Sequence, residues 1–279
     1  MKTLYISDLD GTLLRSDVTL SRFTCETLTE LIRGGAVISF ATARSLTTAR
    51  KVTAGLEVPL PIVAYNGAFI VDSVSGEILN KCIFKPGDAQ RIYRAFTSRG
   101  LSPVVYHIRE GRECYSYNEL TVSRQTREFL DSRRPDPRDD PLQGEAGLLD
   151  GEVFYFNCIG ERDSLIGAYE ELRGGCETLF YDDIYSGERW LEVMPRGADK
   201  ASAAVRLRDM LGCGRMVAFG DAVNDISLFR AADESYAVAN ADDRLKAEAT
   251  AVIGTNDEDA VAKKMREMIG ANCPNADGS

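Results

Sequence analysis

Alternation between short apolar segments and amphipathic segments at the start of the chain constrains the fold most strongly. Apolar segments at 3–7, 36–42 and 61–65 predict buried strands, and the segments 21–35 and 45–56 predict helices between them. Strands that alternate with helices at this spacing form parallel sheets through right-handed crossovers. The sequence therefore predicts an α/β fold.

The pattern changes near residue 80 and returns in the last third of the chain. Between these points we expect hairpin strands, helices and, at 133–147, a surface loop rich in proline and charge. We therefore predict a Rossmann-like parallel-sheet core made of residues 1–82 and 188–279, with an inserted α/β domain at 83–187.

Composition excludes several classes of function. The chain has 279 residues, is 44% hydrophobic and carries a formal net charge of −10, which fits a globular protein and disfavours a general nucleic-acid binder. No segment approaches the roughly 20 apolar residues needed to cross a bilayer. The seven cysteines lack the paired spacing of a zinc site or a disulfide framework. We expect a cytoplasmic protein that binds neither membranes nor nucleic acid.

Polar residues follow the predicted strands or begin the predicted helices at several separate points. Because ligands of open α/β sheets bind at the carboxyl ends of the strands, we expect these residues to share one crevice. Converging carboxylates repel one another unless positive charge lies between them, and an all-oxygen set suits Mg²⁺. The residues are Asp8, Asp10, Thr42, Lys200, Asp221 and Asp225.

These residues lie in motifs that resemble those of the haloacid dehalogenase superfamily. "DLDGT" (8–12), Thr42 in "FATAR", Lys200 and "GDAVND" (220–225) match its four motifs in order. The segments "YNGA", "VANA" and "TNDEDAVA" resemble the Cof-type phosphatases, whose large α/β cap corresponds to the insertion at 83–187. The resemblance implies a phosphoric monoester hydrolase in which the cap selects the substrate.

The resemblance also implies how the reaction proceeds. Asp8 would attack phosphorus and form an aspartyl-phosphate, and Asp10 would act as general acid and then as general base. Thr42 and Lys200 would hold the phosphoryl oxygens. An aspartate at position 10 favours phosphatases and phosphomutases over the ion-pumping members, which carry a different residue there.

The same resemblance implies a metal site and a set of substrate contacts. The carboxylates of Asp8 and Asp221 and the backbone carbonyl of Asp10 would hold Mg²⁺, and Asp225 would orient its ligand shell. Ala222 stands where the fourth motif often has glycine. The expected substrate-binding residues are Gly11, Thr12, Ala43, Arg44, Asn66, Gly67 and Asn224.

Several alternatives stay open at this point. Arg44 is equally consistent with a substrate-orienting residue and with an ordinary surface arginine. His107, the one histidine in the chain, is expected at the cap surface or in substrate selection. A phosphomutase or a non-catalytic metal- or phosphate-binding module could carry the same motifs. We expect a small phosphorylated metabolite as partner, and a monomer or a small homo-oligomer.

Overall fold

The computed structural model describes residues 2–56, 58–182 and 188–270. They form two compact units, one built from the chain up to Lys81 and from Ala198 onward, the other from Cys82 to Gly197. The C-terminal segment 271–279, which its composition predicts to be frayed, lies outside the described residues.

The regular elements are numbered along the chain. The strands are β1 (Thr3–Ser7), β2 (Val37–Phe40), β3 (Ile62–Ala64), β4 (Phe69–Val71), β5 (Ile78–Lys81), β6 (Val104–Arg109), β7 (Arg112–Asn118), β8 (Asp139–Leu142), β9 (Glu152–Gly160), β10 (Glu177–Asp182), β11 (Arg189–Met194), β12 (Arg215–Gly220), β13 (Glu234–Ala237) and β14 (Ala251–Val252). The α-helices are α1 (Arg22–Arg33), α2 (Leu46–Val52), α3 (Pro86–Thr97), α4 (Arg124–Asp131), α5 (Arg162–Leu172), α6 (Lys200–Met210), α7 (Ile226–Ala231), α8 (Asp243–Lys246) and α9 (Ala260–Gly270).

The first unit contains a parallel sheet in the order β14-β13-β12-β1-β2. Ser7 at the end of β1 lies opposite Phe219 of β12 and Phe40 of β2, so these three strands end side by side. Leu4 and Ile6 of β1 are fully buried, as expected for a central strand covered on both faces. The predicted α/β fold with a parallel-sheet core is confirmed.

Helix α1 shows how the sequence sets an element's ends. The Ser21 side chain accepts a hydrogen bond from the backbone N–H of Thr24, which satisfies one of the free donors of the first turn. The helix ends at Arg33 and is followed by Gly34 and Gly35, of which Gly35 has a φ of 92°.

The second unit contains a six-stranded sheet in the order β10-β11-β9-β6-β7-β8. Residues of α3 and α5 form a hydrophobic core with residues of this sheet, including Phe96, Phe156 and Leu165. Strand β11 pairs with β10 on one side and β9 on the other. The second unit therefore extends to Gly197, beyond the end expected at residue 187, because β11 belongs to its sheet.

The expectation of a surface loop over 133–147 was wrong over Asp139–Leu142. Strand β8 lies inside this segment and pairs in parallel with β7 at the edge of the sheet. Its sequence, Asp-Asp-Pro-Leu, has low strand propensity, and an edge strand is where a proline is tolerated. Backbone pairing with β7 therefore decides the conformation here.

No helix within residues 2–56, 58–182 and 188–270 has the length and the run of apolar residues that a membrane crossing requires.

Candidate active site

The first predicted motif forms a tight turn directly after β1. Asp8 is 6% exposed, and its backbone N–H donates to the carbonyl of Phe219 on the neighbouring strand at 3.0 Å. Gly11 has a φ of 72°, and a Cβ at this position would lie 2.3 Å from Oδ2 of Asp221. A glycine is therefore required for the first and fourth motifs to come this close.

Lys200 joins two of the predicted carboxylates. It is the first residue of α6, and its Nζ donates to Oδ1 of Asp8 at 2.7 Å and to Oδ1 of Asp225 at 2.6 Å. Burial by itself disfavours the charged ammonium, but the carboxylates of Asp225 and Asp8 outweigh it and raise the pKa of Lys200 above its ordinary value. Lys200 is therefore a buried cation held by two charge-assisted hydrogen bonds.

Asp225 is fully buried and uses both of its oxygens. Its Oδ2 accepts the backbone N–H groups of Asp221 at 3.1 Å and Ala222 at 3.2 Å, and its Oδ1 accepts from Lys200. The side chain therefore fixes the loop of the fourth motif and the lysine at once. Alanine at position 222 keeps the N–H that this arrangement needs.

The carboxylates of Asp8, Asp221 and Asp225 offer oxygen atoms that all lie within 4.8 Å of one another. Burial, followed by Asp225, raises the pKa of Asp221 to about 6, although the Thr12 hydroxyl donates to Asp221 Oδ1 at 2.8 Å and opposes the rise. Burial also raises the pKa of Asp8, against the opposing effect of Lys200. These shifts mean that burial, together with the neighbouring carboxylates, disfavours the ionised forms of Asp8 and Asp221.

This donor set fits the expected metal. Its carboxylate oxygens are the hard ligands that Mg²⁺ prefers, and a bound divalent cation would favour the ionised carboxylates that burial disfavours. The side chain of Asp10 does not belong to this cluster. That is consistent with a contribution from its backbone carbonyl.

Arg44 pairs with the predicted acid/base. Its Nε donates to Oδ2 of Asp10 at 2.7 Å, and one of its terminal nitrogens, Nη2, donates to Oδ1 at 2.5 Å. The guanidinium of Arg44 therefore binds both oxygens of the Asp10 carboxylate, which fixes the plane and the direction of that carboxylate. Sequence reasoning placed Arg44 beside the site but missed this partner, since nothing in the local pattern links positions 44 and 10.

Thr42 lies at the end of β2 and is fully buried. Its backbone N–H donates to the carbonyl of Val63 at 3.0 Å, and its hydroxyl accepts from the backbone N–H of Arg44 at 3.1 Å. Ala43 is exposed at the bend between them. The predicted second motif is therefore a bend whose two ends are hydrogen-bonded.

Asn66, Gly67 and Asn224 were predicted to contact substrate. In the structure Asn66 is 3% exposed, and its Oδ1 accepts from Nδ2 of Asn224 at 3.1 Å. Asn240 was not singled out from the sequence, yet its Nδ2 donates to the carbonyl of Gly11 at 2.8 Å. The "VANA" segment that contains it was the signal that could have identified it.

Comparison with known proteins identifies the family of this chain. The sequence profile of the haloacid dehalogenase-like hydrolases matches residues 5–265. YwtE of Bacillus subtilis, a 5-amino-6-(5-phospho-D-ribitylamino)uracil phosphatase, is 25% identical, with 96% of this chain and 98% of that protein covered. YitU of the same organism, also a 5-amino-6-(5-phospho-D-ribitylamino)uracil phosphatase, is 27% identical, with 94% of this chain and 96% of that protein covered.

Solved structures give the same result. A haloacid dehalogenase-like hydrolase from Bacteroides thetaiotaomicron matches with a TM-score of 0.77 at 25% identity, covering 96% of this chain and all of that one (100%). A Thermotoga maritima protein matches with a TM-score of 0.78 at 20% identity, covering 99% of each chain, which supports the fold. The predicted phosphoric monoester hydrolase is confirmed by the family match together with relatives that are phosphatases. The chain belongs to the haloacid dehalogenase-like hydrolase family.

Proposed function

We propose that this phosphatase is Mg²⁺-dependent and hydrolyses small phosphorylated metabolites, such as sugar phosphates, through an aspartyl-phosphate on Asp8. One observation carries the proposal. The buried carboxylate of Asp8 lies at the end of a central strand, bonded to Lys200 and within one oxygen cluster with Asp221 and Asp225. The side chains proposed as nucleophile, phosphate-binding cation and metal ligands therefore lie close together.

The nucleophile is held before substrate arrives. Lys200 donates to Oδ1 of Asp8, which restricts the direction of the carboxylate that would attack phosphorus. As the phosphoryl group is transferred, the ammonium of Lys200 and the hydroxyl of Thr42 would hold its oxygens, since such reactions depend mainly on positioning and charge stabilisation.

Asp10 handles the proton in this proposal. It donates a proton to the leaving oxygen and then removes one from the water that hydrolyses the aspartyl-phosphate. Arg44 holds both oxygens of the Asp10 carboxylate, which supports a role in orienting the acid/base rather than the substrate.

The metal would be held by Asp8, Asp221 and the backbone carbonyl of Asp10, with Asp225 orienting the shell. When bound, Mg²⁺ would neutralise charge on the phosphoryl oxygens and lower the repulsion between the phosphate and the carboxylate nucleophile. We further propose that the second unit, Cys82–Gly197, acts as the cap that selects the ester, and that the protein works in the cytoplasm.

The test is phosphate release from a panel of phosphorylated metabolites, with Mg²⁺ and with EDTA. The panel includes sugar phosphates, polyol phosphates, nucleotides, pyridoxal phosphate and 5-amino-6-(5-phospho-D-ribitylamino)uracil. Asp8→Asn should abolish release, whereas Asp163→Asn, the same change at an exposed position in α5, should leave it unchanged. Release that survives EDTA or Asp8→Asn would overturn the proposal, and isomerised product without free phosphate would indicate a mutase.

A further inference from the structure

The turn between β3 and β4 has an unusual backbone. Tyr65, Asn66 and Gly67 follow one another with φ values of 50°, 52° and 106°. Left-handed conformations are unfavourable for residues with a side chain, above all for a bulky one such as tyrosine. A strained turn persists only when its surroundings fix it, so its contacts are informative.

The turn is bonded to the bend of the second motif at two points. The backbone N–H of Asn66 donates to the carbonyl of Thr42 at 2.9 Å, and that of Tyr65 donates to the carbonyl of Arg44 at 3.1 Å. These bonds lie on either side of Ala43. The turn therefore holds both Thr42 and the residue that pairs with Asp10.

The turn also abuts the start of α6. A Cβ on Gly67 would lie 2.2 Å from the carbonyl oxygen of Asp199, so the two backbones are in direct contact. Asp199 caps α6 by accepting from the backbone N–H of Ser202 at 2.9 Å, and Lys200 is the next residue. The position of the lysine is thus tied to this turn.

The third contact reaches the fourth motif. Oδ1 of Asn66 accepts from Nδ2 of Asn224, which lies in the short 3-10 turn Val223–Asp225. Asp225 in turn binds Lys200. Asn66 therefore connects the loops of the second and fourth motifs, the second through its backbone N–H and the fourth through its side chain.

We infer that Asn66 is a positioning residue that fixes the phosphate-holding groups relative to the acidic cluster, and not a substrate-contacting residue. The inference rests on the proposed function, because it assigns a role within the same site. Since its bonds reach Thr42 directly and Lys200 through Asn224 and Asp225, it acts on groups that serve every phosphate ester alike.

Two substitutions separate the contribution of the Asn66 side-chain bond from that of its backbone conformation. Asn66→Gly suits the left-handed conformation and removes the side-chain bond, whereas Asn66→Ala removes the same bond but leaves a residue that tolerates this conformation less well than asparagine does. We expect Asn66→Gly to lower kcat by about three- to tenfold, the scale of one hydrogen bond, with KM changed less than about twofold. The loss should be the same for para-nitrophenyl phosphate and for larger esters. Asn66→Ala should lower kcat further and also lower the thermal unfolding midpoint.

A double-mutant cycle supplies the decisive comparison. If the two asparagines act through their mutual bond, Asn224→Ala added to Asn66→Gly should cause little further loss. A loss confined to KM or to particular esters, or fully multiplicative losses in the double variant, would overturn the inference and indicate direct substrate contact.

Binding of orthovanadate, which mimics the phosphoryl group in transfer, is measured by calorimetry in the presence of Mg²⁺ and separates this inference from the proposed function. Asn66→Gly should weaken vanadate binding by about the same factor as kcat, whereas binding of inorganic phosphate should change less than about twofold, as for KM. If the unsubstituted protein binds vanadate but releases phosphate from no ester, the proposed function fails while the binding comparison still tests the inference. If it binds neither vanadate nor phosphate, both are refuted.

Discussion

Substitution of Lys200 by methionine tests the electrostatics of the site most directly. Methionine retains most of the apolar stem but removes the ammonium that bonds to Asp8 and Asp225. The carboxylates would then remain buried without their cation. We expect a large loss of stability that depends on pH.

The magnitude follows from burial and bond count. Lys200 is 1% exposed and makes charge-assisted bonds of 2.7 and 2.6 Å. Removing one partner of a buried ion pair costs about 3–5 kcal/mol, a large part of the roughly 5–15 kcal/mol that stabilises a typical protein. At about 2–4 °C per kcal/mol, the unfolding midpoint should fall by about 6–20 °C.

The pH dependence has a definite sign. A carboxyl whose folded pKa is raised binds protons more tightly in the folded state, so its contribution to stability falls as pH rises between its ordinary and its folded pKa. For Asp221 this interval runs from 3.8 to about 6 in the native protein. Without the ammonium, the folded pKa values of the buried carboxyls rise further, so this pH interval extends upward. The loss of unfolding free energy caused by Lys200→Met should therefore be larger at pH 8 than at pH 5.

The assay is urea unfolding of the metal-free protein, followed by far-ultraviolet circular dichroism at pH 5 and pH 8. Fluorescence is unsuitable, because the single tryptophan, Trp190, lies in the second unit. Lys51→Met, the same change at an exposed position of α2, is the matched control. A loss of unfolding free energy below about 1 kcal/mol, or a loss that is equal at both pH values, would refute the reasoning.

Three further predictions concern individual residues. Gly11→Ala should reduce phosphate release at least about tenfold, because φ is 72° and the added Cβ would displace Asp221; unchanged kcat would contradict this. Arg44→Lys should lower kcat by about tenfold, since an ammonium cannot make the two parallel hydrogen bonds that the guanidinium makes to Asp10. A tenfold rise in KM with kcat unchanged would indicate a substrate contact instead. Burial, followed by the charge of Arg109, lowers the pKa of His107 below 6.5, so the imidazole signals of this one histidine should titrate below that pH in an NMR experiment. The free energy of unfolding should fall as the pH drops below 6.5, and titration above 6.5 would contradict the prediction.

Much of the architecture was accessible from the sequence because it depends on local signals. The strand-helix alternation predicted the parallel sheet, and Ser21 with Gly34-Gly35 marked the ends of α1. Sheet geometry alone then predicts that residues after β1 and β12 meet, since parallel neighbours end at the same edge. The proximity of Asp8 and Asp221 follows from that rule, whereas their chemical roles stay a prediction.

Other features depend on partners far away in the chain, which local patterns do not specify. His107 was expected at the surface or in substrate selection, but it is fully buried, with its ring nitrogens bonded to the Asp150 carbonyl and to Ser116 at 2.7 Å each. An alternating strand pattern shows which residues share a face, but not what covers that face.

By itself, the sequence determined the family, the α/β class and the set of polar residues that gather at the strand ends, because these follow from periodicity and from motif order. Only the tertiary structure decided that Arg44 binds Asp10, that Asn66 joins Thr42 to Asn224, and that β11 belongs to the second sheet. The reason is physical: hydrogen bonds and strand pairing act over a few ångströms in space, and the chain brings these groups together only after the whole unit has folded.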